Sequence, residues 1–387
     1  MAYEIYLKKN EEKRIINGHS WVYANEVSKI ENKDKNGSLA AVYSYDGRFI
    51  GKGYINHASK ILVRIFIRND ETDDEEFYLA RLKAANDYRL KLGYKNCYRM
   101  VFAEADNLPA LIVDKYADVL VIQCLSLGID MRKKLICDCL VKLFSPKGIY
   151  ERSDVSVRKK EGLPEIKQVL YGEVPDYVQI DENGIKMLVD VKNGQKTGYF
   201  LDQKENRLSA RKYCGGEVLD CFCNSGGFSL NAATAADKVT ACDISRLALK
   251  NVRDNADLNG FKNITTLCGD AFEVLRNFRK EKRKFDTVIL DPPAFCKSAD
   301  EVKDAYRGYK DVNLTAMKIV RSGGFLITCS CSHYMTATLF EKMLIESARE
   351  SGRIVRSVEI KTQAPDHPSL LCAEETQYLK FFVLQII

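Results

Sequence analysis

The sequence predicts an α/β domain with a doubly wound sheet in its C-terminal half. A small β-barrel and an α+β middle segment precede it. Three observations carry this reading. Beyond residue 198, short apolar strands alternate with helical stretches, the rhythm of a parallel sheet with helices on both faces. Residues 39–67 instead hold short β-branched runs around an Asp46-Gly47 turn, the pattern of a small barrel. An acidic run, NDETDDEE at 69–76, interrupts that pattern and marks a boundary. The predicted divisions are residues 1–72, 73–192 and 193–387.

Composition sets the outer limits. The 387 residues are 46% hydrophobic and 29% charged, with only 8 prolines, an ordinary globular balance that excludes a fibrous or disordered chain. No apolar run approaches the roughly 18 residues of a membrane span, and the start, MAYEIYLKKNEEKR, has no apolar signal core. A soluble, cytoplasmic protein without membrane contact is expected. Thirteen cysteines without an export signal are not a disulfide framework. Their closest pairs, Cys137/Cys139, Cys221/Cys223 and Cys329/Cys331, are all C-x-C and do not form paired C-x2-C knuckles. No metal site is expected, and most of the thiols should be small buried apolar groups.

The net charge of +6 is unevenly spread. Residues 1–69 hold 12 Lys and Arg against 7 Asp and Glu, a surplus of five. A basic N-terminal module suits a polyanion such as nucleic acid, although a solvated basic face would look the same.

The elements follow in order. Residues 39–43, 48–54 and 61–67 read as strands, and 77–92 has helical spacing. Residues 104–114 and 119–124 read as strands around a turn at 116–118. A helix at 131–144, a strand at 148–151, and two strands within 177–191 around Asn183-Gly184 complete the middle segment. The last segment reads as strands at 217–220, 238–243, 264–267, 285–291 and 324–329. Helices are expected at 228–236, 246–259 and 313–320.

Five strand ends carry chemistry. VLDCFCNSGGFSL, at 218–230, is a strand ending in Asp220, then a glycine turn and a helix start. Gly226 and Gly227 let the backbone turn sharply and approach a ligand. Open α/β sheets bind ligands at this end of their strands. Asp243 ends the next strand, 17 residues after Gly226, a spacing that suits a carboxylate on ribose hydroxyls. The full G-x-G-x-x-G is absent, which disfavours a dinucleotide. Asp270, in CGDAF, follows another strand and could accept from an adenine amino group, although Gly-Asp is a common turn pair. ILDPPAF, at 289–295, closes a buried strand with Asp291, stiffens the turn with Pro292 and Pro293, and offers Phe295 as a ring on which a base could stack. FLITCSCSHYM, at 325–335, ends a strand in two thiols among serines. Cys331 at this edge is the candidate nucleophile, with Cys329 as its strand neighbour.

These stretches together resemble a class I S-adenosylmethionine-dependent methyltransferase with a Rossmann-like α/β fold. GHSWVYANEV (18–27), AEADNLPALIVDKYADVLVIQ (103–123), TGYFLDQKENR (197–207), RGYKDVN (307–313) and DHP (366–368) narrow the resemblance. They are similar to the bacterial large-subunit ribosomal RNA cytosine-C5 methyltransferases, over essentially the whole chain. The resemblance implies a PUA-like RNA-binding domain at the N-terminus, S-adenosyl-L-methionine as cofactor and ribosomal RNA as partner. It aligns the family nucleophile with Cys331, because an aromatic stands in the family where this chain has Cys329. Cys329 sits in a Thr-Cys-Ser triplet that another group of RNA cytosine methyltransferases uses, so it is the alternative thiol. This chain has Ala294 where some relatives carry lysine.

The roles expected are therefore these. Cys331 attacks, and Asp291, Pro292 and Pro293 hold the cytosine edge. Gln203, Asp220, Ser225, Gly226, Asp243 and Asp270 surround the cofactor. Arg307 and Lys310 are candidates for RNA phosphate, against a solvated helix face. Trp21 and Tyr23 are expected in the core of the barrel, with a homodimer interface as the alternative. Three rivals are an exocyclic-amine methyltransferase, a non-catalytic RNA-binding factor and a nicotinamide oxidoreductase.

Overall fold

The N-terminal β pattern forms a six-stranded sheet in the order Trp21–Tyr23, Ile61–Ile67, Phe49–Ile55, Leu39–Tyr43, Tyr3–Leu7, Val27–Glu31. The two edge strands are linked only by the short turn Ala24–Glu26, which brings the edges of the sheet together. Alternating residues such as Ile5, Leu7, Val22, Val42, Val63 and Ile65 point inward and fill the core, as period-2 patterning requires. Trp21 is not part of that core. Its indole Nε1 donates to Glu104 Oε1 at 2.8 Å, and the Arg64 guanidinium lies 5.6 Å from its ring. The barrel-core expectation for Trp21 is corrected by this polar handle, which draws the ring to the side of the sheet.

The acidic run ends as a helix start. Asp74 caps the helix Glu75–Lys91 by accepting from Phe77 N, and Glu75 and Glu76 occupy its first turn, where negative charge is favoured. This helix and Leu127–Phe144 contribute to one core with a five-stranded sheet, ordered Ile166–Gly172, Gly148–Ser153, Val119–Cys124, Leu111–Tyr116, Cys97–Phe102. Tyr54, Phe66 and Ile67 of the first sheet belong to the same core. The strand expected over 104–114 is corrected. Ala103–Asp106 is a 3-10 turn and the strand runs Leu111–Tyr116. Ala103, Asn107 and Ala110 take positive φ, and Asp106 Oδ2 accepts from Phe102 N at 2.6 Å, so local side-chain bonding overrides the apolar pattern.

Several stretches quoted from the sequence converge on one buried network here. Arg99 grips Asp114 through two bonds of 2.7 and 2.8 Å. Thr197 Oγ1 donates to Asp114 Oδ2 at 2.5 Å, and Arg99 N donates to Asp366 Oδ2 at 3.0 Å. Asp114 is fully buried. Arg99→Met strips it of its cation, and we expect a loss of about 3–5 kcal/mol, read as a lower urea midpoint for the full chain.

The chain folds as two units: Met1–Ile180, Val189–Leu201 and Pro365–Thr376 form one, and Asp181–Leu188, Asp202–Ala364 and Gln377–Ile387 the other. The computed structural model describes residues 3–296 and 298–387. Among these, no helix is long and apolar enough to cross a membrane.

The second unit is built on seven strands: β1 (Glu217–Cys221), β2 (Lys238–Asp243), β3 (Ile264–Cys268), β4 (Phe285–Leu290), β5 (Val320–Ser330), β6 (Val355–Lys361) and β7 (Lys380–Ile386). Its main helices are α1 (Gly227–Ala233), α2 (Arg246–Asn259), α3 (Ala271–Lys280), α4 (Val302–Ile319) and α5 (Ala337–Ser351). The sheet order is β3-β2-β1-β4-β5-β7-β6. Strands β1 to β5 are parallel, as expected, but β7 runs antiparallel to both β5 and β6. The all-parallel expectation is thus corrected at one edge. Helix α4 starts eleven residues earlier than the expected 313–320, because Ala305, Tyr309, Val312 and Ala316 already form one buried helical stripe. Strand order reverses between β1 and β4, and such a switch point opens a crevice at the carboxyl ends.

Candidate active site

The first wall of the crevice is the turn after β1. Phe222 and Asn224 take positive φ at 63° and 48°, and Gly226 at 90°. A Cβ on Gly226 would also lie 3.1 Å from Val252, so glycine is required by both backbone and space. Asp243, at the end of β2, holds this turn. Its Oδ2 accepts from Asn224 N at 3.0 Å and its Oδ1 from Ser245 N at 2.9 Å. Ser225 N donates to Asn224 Oδ1 at 2.7 Å, and Ser225 O accepts from Asn255 Nδ2 at 3.2 Å.

Asp220 is fully buried beneath the turn. Its Oδ2 accepts from Ser229 Oγ at 2.5 Å, while its Oδ1 is buried without a hydrogen-bond partner among the described residues. Burial pushes its carboxyl pKa up to about 7, and Asp291 and Asp243 add to the rise. An orphaned buried acceptor beside a glycine turn fits a nucleoside cofactor, whose hydroxyl or amino donors would satisfy it.

The raised pKa makes a prediction about stability. The folded state keeps a proton on Asp220 up to about pH 7, whereas the unfolded carboxyl loses it near pH 3.9. This contribution is full below the unfolded pKa and is lost as pH rises to about 7. Asp220→Asn cannot titrate. Its melting temperature relative to the native chain should therefore climb between pH 5 and pH 8, measured by paired thermal melts, and an unchanging difference would refute the buried-acid assignment.

The second wall is the Asp-Pro-Pro turn after β4. Leu290 pairs with Thr328 of β5, which sets Asp291 and Cys329 side by side. Gln203 Nε2 donates to Asp291 Oδ1 at 2.9 Å, and Gln203 Oε1 accepts from Asn206 Nδ2 at 2.7 Å. Gln203, expected against the cofactor, lies here with its amide against Asp291, which it can orient. Pro292 is buried and Pro293 exposed.

The two thiols differ. Cys329 is fully buried, and burial, with Asp291 nearby, holds its thiol well above the ordinary range. Cys331 lies just past the end of β5 and is half-buried. The serines flanking it hang from one buried phenol: Tyr309 Oη lies 2.9 Å from Ser332 Oγ and 3.1 Å from Ser330 Oγ. Cys296 N donates to Ser332 Oγ at 3.3 Å, which ties the Asp-Pro-Pro loop to the thiol loop. Burial raises the Tyr309 pKa to about 12, so it stays a neutral hydrogen-bonding anchor. Sequence reasoning missed Tyr309 as a site residue, although it lies within RGYKDVN.

Three expectations are changed. Phe295 was expected to offer a ring to a base, but it packs against Tyr309, Phe272 and Phe222 at centroid distances of 4.7, 5.8 and 6.3 Å; the apolar side of α4 claims it. Lys310 was a candidate for RNA phosphate, yet its Nζ sits 2.7 Å from Glu350 and 3.2 Å from Glu346, so its charge is neutralised. Asp270 caps α3, its Oδ1 accepting from Phe272 N and Glu273 N, which leaves one oxygen for a ligand. Arg307 stays exposed and, among the described residues, makes a 3.3 Å surface pair to Asp304, an interaction of little energy.

The chain is similar over its whole length to known proteins. The family model for a PUA-like domain matches residues 5–68, and that for an S-adenosylmethionine-dependent methyltransferase matches residues 158–382. Proteins named ribosomal RNA large subunit methyltransferase I from Aeromonas salmonicida (strain A449) and Vibrio cholerae (strain ATCC 39541) are each 41% identical, with 100% of both chains covered. A solved Streptococcus mutans structure, described as an S-adenosylmethionine-dependent methyltransferase, superposes with a TM-score of 0.84 over 100% of both chains. A structure of SMU.776 complexed with SAH gives the same score. Both are 20% identical to this chain, and that likeness concerns the fold. Full-length identity at 41% and the match of the C-terminal half place the chain in the ribosomal RNA large subunit methyltransferase I family of S-adenosylmethionine-dependent methyltransferases.

Proposed function

We propose that the protein methylates C5 of a cytosine in large-subunit ribosomal RNA, in the cytoplasm, with Cys331 as nucleophile. The observation that carries this reading is the contrast between the two thiols at the end of β5. Cys329 is buried and held protonated, whereas Cys331 is accessible at the sheet edge beside the Asp-Pro-Pro turn.

The chemistry requires such a thiol. C5 of cytosine is a weak nucleophile. Attack of Cys331 Sγ on C6 forms an S–C6 bond and makes C5 enamine-like, dividing one hard step into easier ones. Asp291, oriented by Gln203, is placed to hydrogen-bond the base edge. Pro292 and Pro293 keep the turn rigid. Bound S-adenosylmethionine supplies an electrophilic methyl group, and Asp220, Ser225, Gly226, Asp243 and the remaining oxygen of Asp270 are the groups to hold it. Loss of the C5 proton then lets the S–C6 bond break and returns the thiolate. The target base must leave its stack to reach such a pocket. We assign the basic PUA-like domain and Arg307 to the RNA backbone.

The test is methyl transfer from labelled S-adenosylmethionine to ribosomal RNA from cells lacking the gene, followed by nucleoside mass analysis. The expected product is 5-methylcytidine. An N-methylated base would overturn the reading, because exocyclic-amine enzymes use a similar Asp-Pro-Pro turn without a thiol.

A further inference from the structure

Strand β7 carries a lysine where apolar residues are expected. Lys380 opens KFFVLQI, lies between β5 and β6 in the sheet, and is only 7% exposed. A buried ammonium is costly unless something compensates it. Among the described residues it has no carboxylate partner. Its Nζ donates instead to two carbonyls, Ser332 O and Tyr378 O, each at 2.7 Å. An ammonium has three donor protons, so one is left over. Lys380 pairs in register with Ser330, and its bond to Ser332 O fixes the charge against the carbonyl of the residue that follows Cys331.

We propose that Lys380 is a positioning residue that stabilises the thiolate form of Cys331. The S–H bond of Cys331 breaks before attack, the proton passes to water, and the electron pair stays on Sγ opposite the ammonium. The same charge receives the thiolate again when the S–C6 bond breaks. The inference deepens the reading of Cys331 as nucleophile and rests on it.

Three groups near the thiol loop have the wrong sign or no charge for this task. Tyr309, from α4, is a neutral phenol with its pKa near 12. Cys329, on β5, is held as a neutral thiol, and Asp291, after β4, opposes a second negative charge. Burial brings the Lys380 pKa down to about 8, against the opposing pull of Cys331, so the ammonium persists at neutral pH and is lost above it. A lysine that merely stapled the strand end to the loop would hold the same two carbonyls but would not alter thiol reactivity.

The experiment is the pH profile of Cys331 alkylation by iodoacetamide, mapped to its own peptide by mass, in the full chain without RNA or cofactor. The native midpoint should lie below the roughly 8.5 of a free cysteine. Lys380→Met should raise it by about one pH unit or more and lower kcat with little change in KM for RNA. Lys380→Arg should restore most of the shift. An unaltered midpoint in folded Lys380→Met overturns the proposal. Should that variant not fold, a native midpoint at or above about 8.5 overturns it by itself. Because alkylation needs no methyl transfer, the result stays separate from the cysteine-nucleophile test, in which Cys331→Ala would keep its activity if that reading were wrong.

Discussion

Replacing Cys331 with alanine should lower methyl transfer to ribosomal RNA by at least about 10³-fold, the scale on which removal of a catalytic nucleophile acts. The substitution removes the atom that makes C5 reactive and leaves the surrounding loop anchored, because Ser330 and Ser332 still bond to Tyr309. Cofactor affinity by calorimetry should stay near the native value. RNA containing 5-fluorocytosine should trap a covalent complex with the native chain and none with Cys331→Ala. Cys329→Ala provides the contrast. It opens a small cavity in a buried cluster and should cost stability of about 1 kcal/mol while retaining most activity. Full activity in Cys331→Ala, or its loss in a well-folded Cys329→Ala, would reverse the assignment of the two thiols.

The second large effect is expected at Asp291. Asp291→Ala should reduce kcat/KM by about 10²–10³-fold, the scale for losing one preorganised polar group at a reacting centre. Gln203→Leu should follow the same direction with a smaller loss, because it releases the Asp291 carboxylate from its 2.9 Å bond without removing it. Steady-state kinetics on ribosomal RNA would show both. Equal loss of cofactor binding in Asp291→Ala would mean that the carboxylate serves the cofactor instead of the base.

Much of this site was legible because strand ends in an α/β fold follow a local grammar. A carboxylate closing an apolar strand, followed by glycine or proline, places Asp220, Asp243 and Asp291 at one edge without any tertiary information. The helix over 246–259 was equally readable, since Ser245 caps it and Gly260 ends it. Other residues were misjudged because their side chains answer to neighbours remote in sequence. Lys310 looked like a phosphate contact until Glu346 and Glu350 of α5 were brought to it. Phe295 looked like a stacking platform until α4 placed Tyr309 against it.

The sequence by itself determined the class of the fold, the cofactor turn and the Asp-Pro-Pro and Cys-Ser-Cys-Ser strand ends, because these depend on hydrophobic period, backbone freedom and carboxylates at short spacing. Only the tertiary structure decided which thiol is buried and which accessible, that Gln203 orients Asp291, that Asp220 keeps its proton to about pH 7, and that Lys380 lies against the thiol loop. Burial and electrostatic environment are sums over residues far apart in the chain, and no local pattern contains them.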